Sequence, residues 1–148
     1  MAAGDLVVSD YQAELRTTLM GASTDYVFTA IDVPPAPIVT NDLPKLLDHG
    51  KFQGSHYKGP IVVTLTMEVT GTTEANLRAN LDTLETAWAV ASSDITFVLR
   101  LPTWGKRSLS GRPINFDIPP LIAEHTAGYM VPGVRAQFES GTPTWTQL

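Results

Sequence analysis

Three histidines, His49, His56 and His125, are the residues best suited to hold a metal ion, because a neutral imidazole is a good ligand for the borderline divalent metals. His49 and His56 fall in a stretch rich in glycine and proline where no helix or strand period sets their geometry, so their spacing defines no site. Two carboxylate pairs, Asp5 with Asp10 and Asp42 with Asp48, would support general acid–base chemistry only if one member were held out of water, and nothing near either pair does that. No Gly-x-Ser-x-Gly elbow occurs, and no Ser–His–Asp order has a motif behind it. Gly50-Lys51-Phe52-Gln53-Gly54 is too short for a phosphate loop and lacks the closing Gly-Lys-Ser/Thr. The chain contains no cysteine, which removes disulfides, thiolate metal sites and a cysteine nucleophile. The chain is therefore expected not to be an enzyme, with no catalytic, metal-binding or cofactor-binding residue and no cofactor.

Contact chemistry is better represented. Lys51, Lys58, Lys106, Arg107 and Arg112 all sit in glycine-bearing loops or corners beside strands, while the acids are spread elsewhere. Trp104, in a turn, either packs over its own core or stands at an interface, where aromatic anchors are enriched; Trp145, in the C-terminal tail, has the same two options. Trp88, on a helical apolar stripe, belongs to the core. The candidate subunit-interface residues are Lys51, Phe52, His56, Tyr57, Lys58, Trp104, Lys106, Arg107 and Arg112.

The elements that must position these residues are mostly strands. Ile61, Val63, Leu65, Met67 and Val69 alternate with Val62, Thr64, Thr66, Glu68 and Thr70, the period of a half-buried antiparallel strand. Leu77, Leu81, Leu84, Trp88 and Ala91 step by four and three, the stripe of one amphipathic helix over about residues 74–91. Thr72 or Thr73 can cap it, and Glu74 favours its dipole. Tyr11 to Leu19 reads as one alternating strand, paired as a hairpin with Asp25 to Ile31 through the Gly21-Ala22-Ser23 turn. Ile95 to Leu101 is a further strand. Arg107 to Ile118 and Tyr129 to Glu139 form a pair whose internal glycines and prolines predict bulges or edge positions. Residues 32–60 carry five prolines and three glycines and read as a long loop with little regular structure beyond a short piece near Ile38 to Thr40. Loops of that length are usually functional, so it is the first place to seek a partner.

At 148 residues with 43% hydrophobic content, the chain suits one domain spanning 1–148, with residues 140–148 as a tail. Met1 to Tyr11 lacks the charged and apolar regions of a signal peptide, and no run reaches the ~20 apolar residues of a membrane span. A net charge of −5 argues against a nucleic-acid grip, which needs a basic face.

The order of parts resembles the core domain of the distal tail proteins of siphophages. The resemblance covers most of residues 11–140. It is carried by the N-terminal strand pair, the Pro-rich loop, the Gly54-Ser55-His56-Tyr57-Lys58-Gly59-Pro60 approach to the long strand, the single helix, the Phe97-Val98-Leu99-Arg100 strand and the Leu109-Ser110-Gly111-Arg112 corner. In that family an arginine usually follows the Gly-Pro, where Ile61 stands here. The resemblance implies a mainly β (α+β) fold: an antiparallel β-sandwich or barrel-like sheet flanked by one helix, related to phage tail-tube proteins. It implies a virion structural protein, a minor tail protein assembled in the host cytoplasm as a ring, a hexamer, around the DNA channel at the tail tip or baseplate. The implied partners are copies of itself, the tail-tube protein, the tail-tip hub protein and other minor tail proteins, with DNA only in transit and no membrane. Three other readings stay open: a tail-tube or tail-terminator subunit, a carbohydrate-binding β-sandwich module stacking sugars on Trp104, Trp145 and Tyr57, and a small enzyme.

Overall fold

The computed structural model describes residues 11–40, 43–44, 51–52, 56–120, 123–125, 128–141 and 143–148, with the backbone alone at 38–40, 43–44, 51–52, 56–57 and 123–125. The chain runs β1 (Gln12–Leu15), β2 (Thr18–Gly21), β3 (Tyr26–Asp32), β4 (Ile38–Thr40), β5 (Leu43–Pro44), β6 (Lys51–Phe52), β7 (His56–Lys58), β8 (Ile61–Gly71), α1 (Glu74–Ala87), β9 (Ile95–Leu101), β10 (Gly105–Asp117), β11 (Ala123–His125), β12 (Gly128–Ser140) and β13 (Thr146–Gln147). Among the described residues, nine strands form one antiparallel sheet with the path β2-β1-β9-β10-β12-β8-β3, to which β11 adds beside β12 and β13 beside β10.

The sheet folds on itself because β10 serves two partners. Its first half, Gly105 to Gly111, pairs with β9, and its second half, Arg112 to Asp117, pairs with β12. A strand that changes sheets at a bend is how sandwich corners are made. Gly111 stands at that corner for a steric reason: a Cβ there would lie 2.1 Å from the carbonyl oxygen of Glu139. The predicted bulge in β12 is present, with a register break between Val131 and Val134 and Gly133 at φ +73°. The predicted edge placement does not hold for β12, which pairs with β8 along one side and with β10 and β11 along the other. In β10 the half from Arg112 to Asp117, which contains Pro113, has a single ladder partner among the described residues, β12, so its other side is an edge.

The long strand β8 follows its alternation as read, with Ile61, Val63, Leu65, Met67 and Val69 buried. These side chains meet Leu15, Phe97, Leu99 and Phe138 in one continuous core. The helix closes that core, with Leu77, Leu84 and Trp88 buried. Trp88 packs on Phe97 and Phe138 at ring-centroid distances of 6.2 and 6.4 Å, while Phe97 and Phe138 stack at 5.1 Å. Thr73 is the N-cap, accepting from the Asn76 amide at 3.1 Å, and the Asn76 side chain accepts in return from the Thr72 amide. This reciprocal arrangement satisfies two otherwise orphaned donors. The helix ends at Ala87, one turn short of the predicted Ala91.

Two expectations are corrected. Tyr11 to Leu19 is not one strand: Arg16 and Thr17 take φ of +48° and +66° and form a two-residue turn between β1 and β2, which pair with each other. A type I′ turn requires positive φ at both central residues and is normally announced by Asn-Gly, so Arg-Thr carries no turn signal. As a result β2 and β3 are not ladder partners; they occupy opposite ends of the strand path. The second correction concerns residues 32–60. Their described residues form a β-arm of two short ladders, β4 pairing β7 and β5 pairing β6, separate from the main sheet. Proline is tolerated there because the ladders are only two strands wide, so each strand keeps an edge that needs no donor.

Candidate functional site

The groove that gathers three of the candidate residues is a concavity of about 700 Å³, a size suited to a ligand or peptide; smaller ones of about 330 and 390 Å³ lie beside the helix and beside the β2–β3 turn. Its walls come from the end of β3 (Ile31), the Val33 to Ala36 connection to the arm, the start of β8 (Ile61), the end of β9 (Leu101), the turn before β10 and the C-terminal tail. Trp104 and Trp145 meet edge to face across it at 5.0 Å. β13 explains how the tail reaches that place: Thr146 and Gln147 pair with Ser108 and Arg107, which draws Trp145 against the sheet. Pro143 is buried in the same wall.

Arg107 lies with its guanidinium carbon 4.6 Å from the centre of the Trp104 ring, and its Nε donates to the Trp104 carbonyl at 3.2 Å. Such stacking stabilises a cation at a surface by roughly 0.5–1 kcal/mol and holds its planar fork in one orientation. Lys58 lines the groove and is exposed. Tyr11, 53% exposed, stands at the rim. No carboxylate lines the groove among the described residues, and none there pairs with Lys58 or Arg107. In a chain of net charge −5, that is a local inversion of sign.

The nine residues singled out from sequence are thus divided. Lys58, Trp104 and Arg107 converge on the groove. Lys106, which precedes Arg107 on β10, does not line it. Arg112 is elsewhere, donating through Nε to Asp94 at 2.9 Å in an exposed ion pair across the corner from β10 to the start of β9. Lys51 and Phe52 fall on β6 and His56 and Tyr57 on β7, so all four belong to the arm; their side chains are outside the described residues. Tyr57 therefore shares no described platform with Trp104 and Trp145. Tyr11, Pro34, Pro35 and Pro143 had no signal of their own, since only the tertiary path brings the two chain ends and the arm's base together.

Elsewhere, burial raises the Tyr26 phenol above its ordinary value, with the Asp25 charge adding to it. Its hydroxyl donates to the Asn80 carbonyl at 2.7 Å, so it ties β3 to the helix rather than facing a cleft. Among the described residues no cluster of three or more His, Asp or Glu is placed to hold a metal ion, and no helix is long and apolar enough to cross a membrane.

This arrangement of sheet, helix and separate ladders is similar to that of solved structures. The chain superposes on the Dit protein of phage SPP1, described as a paradigm of the hub adsorption apparatus of phages that infect Gram-positive bacteria, with TM-score 0.62 and 13% identity over 93% of this chain and 52% of that one. It also superposes on a chain of the phage p2 baseplate in its activated conformation with Sr, with TM-score 0.67 and 8% identity over 92% of this chain and 45% of that one. It therefore has the fold of siphophage distal tail proteins. The chain spans about half the length of these neighbours. No family profile and no curated protein matches it.

Proposed function

We propose that this chain is a structural subunit of a long-tailed phage, a non-catalytic, cofactor-free distal tail protein that self-associates as a hexameric ring and joins the tail tube to the tail-tip hub around the DNA channel. The observation that carries the proposal is the likeness to SPP1 Dit over 93% of the chain. Physical features favour it. A ring needs different, complementary surfaces on two flanks of one subunit, since a head-to-tail contact closes when its rotation is right. The separate arm provides one such surface, and the outer edges of β2 and β3, which end the strand path and have no further ladder partner among the described residues, provide another. The net charge of −5 suits a channel through which DNA must slide, because a basic wall would bind phosphates by releasing their counterions. On this reading the protein is made in the host cytoplasm and resides at the tail tip, in contact with the tube protein, the hub protein and other minor tail proteins.

The test is the mass of the purified 16.0 kDa chain by light scattering, with negative-stain imaging of any large species. The expected result is a closed ring of six subunits. A monomer at every concentration, alone and with tube and hub proteins added, counts against the proposal.

A further inference from the structure

The groove has half-buried aromatic and aliphatic walls with two unpaired cations and, among the described residues, no acid, and the chemistry of its occupant follows from those walls. A saccharide would find donors at Tyr11, Lys58 and Arg107 but would set other hydroxyls against Ile31, Val33, Pro34, Ile61 and Leu101, and each one left unsatisfied there costs about 1–3 kcal/mol. An extended peptide with apolar side chains and flanking carboxylates has no such problem: its side chains fill the walls, and its carboxylates meet the Arg107 fork and the Lys58 ammonium. This chain contains such a peptide. Gly4-Asp5-Leu6-Val7-Val8-Ser9-Asp10 carries two acids, an apolar triplet and no base. It lies outside the described residues, and Tyr11, the residue that follows it, stands at the rim of the groove.

We infer that the groove is a receptor for the Asp5–Asp10 stretch of a neighbouring copy, an exchange of N-terminal segments that links subunits head to tail. The inference rests on the ring reading for the presence of a neighbour but not for the chemistry of the groove. A heterologous contact of this kind has the polarity a ring requires. Fully extended, the six residues Asp5–Asp10 span about 20 Å. Charge pairing at the rim sets register and salt dependence, while the apolar triplet supplies most of the affinity.

The experiment uses the full chain with Val7→Asp, which spoils the segment and leaves the groove intact. The expected results are self-association weakened at least tenfold and a shift in tryptophan emission when a synthetic peptide of residues 4–10 is added. That peptide should bind at least fivefold more weakly to Val7→Asp chains also carrying Lys58→Gln or Arg107→Gln, and more weakly as salt rises. Wild-type self-association in the Val7→Asp chain overturns the inference, and so does unchanged emission with the peptide. An emission shift on adding tetragalacturonate, where the peptide produces none, overturns it in favour of an anionic glycan. If Val7→Asp alters tryptophan emission at unchanged mass, the segment occupies its own groove and the neighbour assignment is overturned. Failure of the ring reading is separate: it is a wild-type chain that stays monomeric whether or not the peptide binds.

Discussion

Replacing Arg16 by alanine removes a cation that binds the end of α1 and the turn that follows it. The last turn of α1 carries no basic residue, and the backbone amides of Trp88 and Ala89 serve only the Leu84 and Thr86 carbonyls. Arg16, seventy residues earlier in the chain, donates through Nη1 to Ala89 at 2.9 Å and to Thr86 at 3.3 Å, with longer contacts to the Ala87 and Val90 carbonyls. A cation at a helix C-terminus is worth about 0.3–1 kcal/mol, and a charge-assisted hydrogen bond somewhat more than a neutral one at about 1 kcal/mol. Arg16 is exposed, so we take the lower part of the combined range: Arg16→Ala should cost about 1–2 kcal/mol. That corresponds to a fall in Tm of roughly 3–6 °C for a chain of this size. Arg16→Lys should retain part of the loss, because an ammonium keeps the dipole interaction but cannot reach several carbonyls with one rigid fork. Thr17 provides a control in the same turn. It is β-branched at φ +66°, which costs about 1–2 kcal/mol that glycine does not pay, so Thr17→Gly should raise stability modestly. Urea unfolding of the three variants, followed by tryptophan emission, measures all of these. An Arg16→Ala change within ~0.5 kcal/mol of wild type would refute the reasoning, because surface substitutions without a structural role fall in that band.

Three further outcomes follow from the core and the corner. Gly111→Ala sets a Cβ 2.1 Å from the Glu139 carbonyl, so the ladder must open where β10 changes partner; a loss of about 3 kcal/mol or more in urea unfolding is expected. The Trp88 indole Nε1 is buried without a hydrogen-bond partner. Trp88→Phe therefore exchanges a cavity for relief of an orphaned donor and should change stability by no more than ~1 kcal/mol, whereas Trp88→Ala should lose about 3–5 kcal/mol. Tyr26 has a raised pKa, so the unfolded chain ionises first as pH rises: its contribution is complete below pH 10.0 and is lost as pH climbs through the folded value. Unfolding titrations in urea between pH 9 and 11 should show that alkaline decline in the wild type and a shallower one in Tyr26→Phe.

The parts legible in the sequence were those whose signal is local and repeated. β8 buries all five residues of its alternating face, and the helical stripe buries Leu77 and Leu84 within α1 and Trp88 just beyond it, with Leu81 and Ala91 only partly covered. What was not legible depended on single residues doing uncharacteristic work. The Arg16-Thr17 turn is invisible to any rule built on Asn-Gly because tertiary bonds from the guanidinium hold a conformation the local residues do not favour. The arm looked like a loop because proline density argues against strands, yet isolated two-stranded ladders spare proline the donor it lacks.

The groove shows the same division at the level of function. Trp104 and Arg107 were flagged for their residue types, but their meaning changes once the tail strand β13 places Trp145 across from Trp104 and the arm's base supplies Lys58. Arg112, flagged on the same grounds, is instead engaged with Asp94. A cation near a strand corner is therefore uninformative by itself; what separates Arg107 from Arg112 is the absence of a carboxylate partner, a property only the tertiary structure reveals. That difference makes a contrast between the two arginines the sharper test of the groove: Arg107→Gln should weaken capture of the acidic peptide, while Arg112→Gln should leave it unchanged and cost no more than about 1 kcal/mol in stability, as expected for an exposed ion pair. Equal effects of the two on peptide binding would mean that general surface charge, rather than the walls of the groove, governs the contact.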